Sequence, residues 1–216
     1  MAGFILLPKR WLGGLLLLAL SSIVSAAPAV LILGDSISAA YGVDKAAGWV
    51  ALLEQRYQAQ CPGLEVINAS VSGEISAGGR QRLPALLAEH QPQIVVIELG
   101  GNDGLRGLSP QSLEQNLRAM VKLSRAAGAT PLLLGMYLPP NYGDAYRQLF
   151  DAAFSRVADT EQVPLVPFFL DQVGGVDALM QPDGLHPTAA AQPQLLDNAL
   201  TVLAPALRAH CASAGQ

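Results

Sequence analysis

Five apolar runs of strand length recur along this chain, and they are continuous instead of alternating: Ala29–Leu33, Val66–Ala69, Ile94–Leu99, Pro131–Met136 and Pro164–Val166. A strand that is apolar at every position is buried on both faces, which is the situation of a parallel sheet sandwiched between helices. The segments between the runs have helix length: Trp49–Cys61, Ala77–His90, Pro110–Ala127 and Asp144–Glu161. For one of them the ends are marked too, with Ser109-Pro110 at the start and Gly128 after the end, the usual asymmetry of helix caps. A last helix is expected from about Pro187 to Leu207, with Leu195, Leu196, Ala199, Leu200, Leu203 and Leu207 on one stripe. The pattern predicts one α/β domain with helices on both faces of a parallel sheet. No repeat or low-complexity tract interrupts it.

The first 27 residues stand apart from that pattern. Lys9 and Arg10 precede the apolar segment Trp11–Leu20, and Ser25-Ala26-Ala27 closes it. This is the order of a secretory signal peptide, cleaved after about Ala26 or Ala27, and its apolar part is shorter than the roughly 20 residues needed to span a bilayer. Residues 28–216 then form the mature domain, enough chain for a sizeable core. Its formal charge falls from −4 to −6 once Lys9 and Arg10 leave. That balance argues against nucleic acid or anionic lipid as a partner. Export also bears on the two cysteines, Cys61 and Cys211. An even pair in an oxidising compartment is a candidate disulfide, with two free thiols as the alternative, and its spacing makes a poor metal site.

In an open parallel sheet, ligands bind outside the carboxyl ends of the strands, so the polar residues there carry the functional signal. Ser36 follows the first run in Gly34-Asp35-Ser36-Ile37, and Ser72-Gly73 follows the second. Gly100-Gly101-Asn102-Asp103 follows the third, and Asp183-Gly184-Leu185-His186-Pro187 precedes the last helix. Each group read singly is an ordinary turn or cap. Together they make a different case, because a serine becomes a nucleophile when a base accepts its proton. The chain has three histidines. His90 ends a helix and His210 lies in the tail. His186 sits on a short loop three residues after Asp183, close enough for that carboxylate to hold one ring nitrogen and leave the other for Ser36. The backbone N–H of Ser36, the N–H of Gly73 and the amide of Asn102 are candidate donors to a developing oxyanion. Asp35 and Asp103 read as scaffolding that accepts nearby N–H groups.

These blocks resemble those of the SGNH, or GDSL-type, hydrolases, in the forms Gly34-Asp35-Ser36-Ile37-Ser38, Asn68-Ala69-Ser70-Val71-Ser72-Gly73-Glu74, Gly100-Gly101-Asn102-Asp103 and Asp183-Gly184-Leu185-His186-Pro187. The resemblance extends over nearly the whole of residues 28–216, with Ile37 in place of the leucine that gives the family its name. Stretches such as Arg82–Leu87, Pro140–Gly143 and Val163–Phe169 are similar to the periplasmic thioesterase, lysophospholipase and arylesterase branch. The resemblance implies a flavodoxin-like three-layer α/β/α sandwich with a five-stranded parallel sheet. Its implied catalytic residues are Ser36, Asp183 and His186, its oxyanion hole is Ser36, Gly73 and Asn102, and it implies no cofactor and no metal.

The expected activity is that of a secreted, periplasmic and monomeric serine esterase, acting on small carboxylic esters, acyl thioesters or lysophospholipids. Two alternatives stay open: a carbohydrate O-deacetylase on the same fold, and a binding module that carries an envelope lipid or glycan without chemistry. The loops around Gly79-Arg80, Leu105-Arg106-Gly107, Leu138–Gly143 and Val176–Met180 are expected to border an acyl groove, with Leu105, Pro140, Tyr142 and Met180 as candidate substrate contacts. Tyr41 and Trp49 read as core or groove wall.

Overall fold

A computed structural model describes residues 28–213 together with Met1 and Gly3. The expected signal peptide, residues 1–27, therefore lies almost wholly outside the described residues. Five strands pair in the order β2-β1-β3-β4-β5, all parallel: β1 Ala29–Gly34, β2 Glu65–Asn68, β3 Ile94–Glu98, β4 Thr130–Leu134 and β5 Leu165–Val166. Every residue of β1 and β3 is buried, as their unbroken apolar runs require. The edge strand β2 exposes Glu65 and Asn68, polar residues that blunt a sheet edge.

Among the described residues six α-helices accompany the sheet: α1 Trp49–Tyr57, α2 Ser76–His90, α3 Gly101–Leu105, α4 Pro110–Ala126, α5 Asp144–Glu161 and α6 Gln192–Ser213. Helix α1 packs against α6, while α2, α4 and α5 pack side by side in a second row, which gives the three-layer sandwich. The core is aliphatic along the sheet, with a few fully buried aromatic rings in the helix layers. Trp49 meets Phe169 edge to face at 5.4 Å, and Phe150 meets Phe154 at 5.5 Å. These offset geometries are the ones the ring quadrupoles favour.

Local chemistry accounts for the boundaries. Ser109 caps α4 by accepting the Ser112 N–H, with Pro110 in the first turn. Helix α1 ends at Tyr57, four residues before the expected Cys61: the Tyr57 carbonyl accepts the N–H groups of both Gln60 and Cys61, and Pro62-Gly63 follows with Gly63 at φ +85°. The last helix starts at Gln192, later than Pro187, because Met180 and Pro187 form an antiparallel bridge that keeps this stretch extended; it runs on to Ser213. The short helix α3 has no counterpart in the periodicity, since a single turn is too short to show one.

The sheet order has its switch point between β1 and β3, because β2 is added on one side of β1 and β3, β4 and β5 on the other, and ligands bind at such a point. Register brings the strand ends level there, with Gly34 opposite Glu98. Segments 35–42 and 99–106 therefore emerge side by side.

Cys61, just beyond α1, is joined to Cys211 in the last turns of α6, with 5.3 Å between the Cα atoms and 150 residues between them in sequence. A link closing so long a loop removes entropy from the unfolded chain worth about 5 kcal/mol on the chain-entropy account. Replacing both cysteines by serine is therefore expected to lower the denaturation midpoint markedly against the oxidised protein. Coinciding urea curves for the oxidised protein and the double variant would show that the link contributes nothing.

Candidate active site

Ser36 lies in the tight turn that leaves β1. The turn is held by backbone bonds from Ala39 N to Asp35 O and from Tyr41 N to Ser36 O, each 3.0 Å, and by the Asp35 carboxylate, which accepts the Ile37 N–H at 3.1 Å. From the opposite side of the crevice His186 brings Nε2 to 2.9 Å from Ser36 Oγ, while its Nδ1 lies 2.7 Å from Asp183 Oδ2. A carboxylate only accepts, so Nδ1 carries the proton and Nε2 is left bare toward the serine hydroxyl. The second oxygen of Asp183 accepts the N–H groups of Leu185 and His186 at 2.9 and 3.0 Å. The hydrogen bond from the His186 ring, helped by these two N–H groups, holds the Asp183 carboxyl down at about 2.

Of the expected oxyanion donors, Ser36 and Asn102 line the crevice beside His186, while Gly73 is not among its lining residues. Asn102, in α3, gives one amide hydrogen to Asp35 Oδ2 at 2.9 Å, which fixes the plane of the amide and leaves the other hydrogen for the crevice. Gly73 sits at φ +78°, a conformation that a side chain would strain, and its carbonyl accepts from the Arg106 guanidinium at 2.7 Å. Asp103 turns away from the crevice into the protein, accepting the Ser76 N–H at 2.7 Å and the Ser76 hydroxyl at 2.6 Å. It ties the start of α2 to α3.

A cavity of about 470 Å³ opens beside Ser36 and His186. Of the four expected contacts, Leu105, Pro140 and Met180 line it. Tyr142 does not: its hydroxyl donates to the Leu105 carbonyl at 3.0 Å, so it fastens a wall residue instead of forming the wall. Gly79 and Arg80 also lie outside the groove, Gly79 against the Leu99 side chain and Arg80 hydrogen-bonded to Asn116. Missing from the sequence reading are Met136, Tyr137 and Phe168. Tyr137 and Phe168 stack at 4.7 Å on segments that follow β4 and β5, and residues distant in sequence that meet only through the sheet leave no local pattern. Tyr41 lies on the surface with its ring 4.5 Å from the His186 ring, whereas Trp49 is wholly buried. Among the described residues no group of three or more His, Cys, Asp or Glu side chains is placed to hold a metal ion.

One polar residue under the site was also missed. Glu98 ends β3 with no exposure, and its Oε2 accepts the Asp35 N–H at 3.2 Å and the Ser38 hydroxyl at 2.7 Å. The Trp49 indole N–H in turn donates to Ser38 at 3.2 Å. The available signal was a lone acid closing an otherwise apolar strand. Burial, and after it the nearby Asp35 charge, pushes the Glu98 carboxyl well above the usual range. Burial likewise lifts Asp35 to about 6, against the Ile37 and Asn102 hydrogen bonds and the His186 charge. Glu98 Oε1 has no hydrogen-bond partner among the described residues. A neutral carboxyl, with its proton on that oxygen, suits this setting better than an anion.

The pH dependence follows from the sign of that shift. A carboxyl that binds its proton more tightly in the folded chain stabilises the fold fully below its unfolded pKa, near 4.5, and loses this as pH rises through the folded value. Glutamine resembles the protonated acid and has no proton to lose. Glu98→Gln is therefore expected to flatten the decline in stability as pH rises above about 4.5, read as urea midpoints across a pH series. Equal declines in the variant and the parent would refute the neutral state.

The profile of the GDSL-like lipase/acylhydrolase family matches residues 32–192. Esterase TesA of Pseudomonas aeruginosa is 55% identical over 196 residues, covering 91% of this chain and 98% of that protein. Thioesterase 1/protease 1/lysophospholipase L1 of Escherichia coli is 47% identical over 189 residues, covering 87% and 89%. The crystal structure of TesA superposes with a TM-score of 0.81 at 56% identity, over 83% of this chain and 99% of that one. With most of its length matched by the family profile and by these relatives, the chain belongs to the GDSL-like lipase/acylhydrolase family.

Proposed function

We propose that this protein hydrolyses carboxylic esters and acyl thioesters through an acyl-enzyme on Ser36. The observation that carries the reading is the relay Ser36 Oγ, His186 Nε2 and Nδ1, Asp183 Oδ2, with contacts of 2.9 and 2.7 Å, beside a largely apolar groove. A binding module has no need of a base set against a hydroxyl. Ester hydrolysis is also the chemistry named for its relatives.

In the acylation step Ser36 Oγ forms a bond to the substrate carbonyl carbon while its proton passes to His186 Nε2. Asp183 keeps the ring in the required tautomer and stabilises the imidazolium. The oxyanion is met by the Ser36 and Gly73 N–H groups and the free amide hydrogen of Asn102, donors oriented before the charge develops. Collapse breaks the bond to the alkoxide or thiolate, which takes the proton from His186. Water then attacks the acyl-enzyme, His186 accepting its proton, and the acid leaves as Ser36 is restored.

The groove walls, with Ile37, Leu105, Met136, Leu138 and Phe168, favour an aliphatic or aryl acyl group over a polar sugar. Small aryl esters, acyl thioesters and lysophospholipids are the substrates that fit this lining. Export to the periplasm rests on the order of residues 1–27, and no helix among the described residues is long and apolar enough to cross a membrane.

Ser36→Ala is expected to remove nitrophenyl-ester turnover by several orders of magnitude while thermal unfolding stays within a few degrees of the parent. Retention of more than a few per cent of kcat/KM would overturn the assignment. Across nitrophenyl esters from acetyl to palmitoyl, kcat/KM is expected to pass through a maximum set by the groove, and a flat series would refute size selection.

A further inference from the structure

Asp183 and His186 belong to a surface turn: every residue from Pro182 to Leu185 is exposed. Its internal bonds define its shape, with Gln181 N donating to His186 O at 2.7 Å, Gly184 N to Gln181 O at 2.9 Å and Thr188 N to Leu179 O at 2.8 Å. None of these places the turn relative to Ser36. A hydrogen bond from the Gln181 side chain does. Its Nε2 donates to Pro187 O at 2.9 Å, within the turn, and to Tyr41 O at 2.8 Å, across the gap to the turn that carries Ser36. Both amide hydrogens are thereby used. Tyr41 adds a second contact across the same gap, its ring lying against that of His186.

The neighbouring backbone is shaped around this amide. Gly42 has φ +71°, and a Cβ there would come within 2.3 Å of Gln181 Oε1 and 2.8 Å of Nε2. The absence of a side chain at Gly42 leaves the space in which the amide lies. Gln181 itself is not among the residues lining the groove, so it has no evident part in holding an acyl chain.

We propose that Gln181 is a positioning residue: a strap that fastens the Asp183/His186 turn to the Ser36 turn and so sets the separation of His186 Nε2 and Ser36 Oγ. The inference rests on the triad reading given under Proposed function. Proton transfer needs those atoms within hydrogen-bond reach, and a misplacement on the order of 1 Å costs roughly 100-fold in rate. The strap therefore bears on the chemical step and leaves substrate affinity alone.

The test compares Gln181→Ala, Gln181→Met, Gly42→Ala and the Gln181→Ala/Gly42→Ala double variant with the parent. Readouts are kcat and KM for nitrophenyl butyrate, the rate of Ser36 phosphonylation by ethyl nitrophenyl methylphosphonate, with nitrophenoxide as the leaving group, followed by mass spectrometry, and thermal unfolding. Both Gln181 variants are expected to lose roughly 10- to 100-fold in kcat and in phosphonylation rate, with KM within about twofold of the parent. Met keeps the length and bulk of Gln without its donors, so its failure to rescue separates hydrogen bonding from packing. Gly42→Ala displaces the amide with Gln181 still present and also strains the backbone at φ +71°, so it is expected to lose at least as much as Gln181→Ala. The double variant is expected to be no slower than the slower single variant, as for two changes acting on one interaction.

Gln181 variants within twofold of the parent in kcat, or phosphonylated at the parental rate, would overturn the strap. So would losses that multiply in the double variant, or losses that only follow the unfolded fraction. Failure of the underlying triad reads differently, as a parent protein that takes no phosphonyl group at Ser36.

Discussion

The parallel pairing of β1 with β3, in the register that sets Gly34 opposite Glu98, is the constraint on which the rest of the site depends. These two strands end level at the switch point of the sheet, so the segments leaving them are neighbours. One carries Ser36 and the other Asn102. A shift of this register would separate a hydroxyl from an amide that lie 66 residues apart in the chain and have no other reason to meet. Both strands are buried along their whole length, so the register is fixed by packing on two faces as well as by the ladder.

Beneath that junction lies a small polar network in an otherwise aliphatic core. Glu98 accepts from the Asp35 N–H and from Ser38, which accepts from Trp49, and Asp35 accepts from Ile37 and Asn102. Two buried carboxyls this close do not both ionise readily, because each loses hydration and repels the other. Asp35 has the stronger case for the charge, since it has an amide and an N–H group as donors and the His186 ring nearby. Glu98, deeper and with one oxygen unpartnered, keeps the proton. The pair thus holds the serine turn and the Asn102 amide from below through hydrogen bonds that low dielectric strengthens.

The other half of the crevice is built differently. Asp183 and His186 stand on an exposed turn, where burial supplies little and a few directed hydrogen bonds supply the geometry. A rigid, dry support under the hydroxyl and the oxyanion donors thus faces a solvated turn carrying the base. The difference suits the chemistry: Asp183, held by the His186 ring and two N–H groups, stays ionised. The groove between them is closed by segments following β4 and β5, including the stacked Tyr137 and Phe168.

Much of this was legible in the chain itself. Apolar strands, capped helices and the polar residues at strand ends are local patterns, and hydrophobic burial together with hydrogen-bond stereochemistry makes local patterns informative. They determined the α/β class, and the motif blocks pointed to Ser36, Gly73, Asn102, Asp183 and His186. Only the tertiary structure decided that Glu98 is a buried support instead of a strand-end charge, that Tyr142 braces the groove from behind, that Gln181 hydrogen-bonds to the Ser36 turn and that α6 begins at Gln192. Each of these depends on distance and burial between segments far apart in sequence, set by the sheet register and helix packing, and residue order alone carries no measure of either.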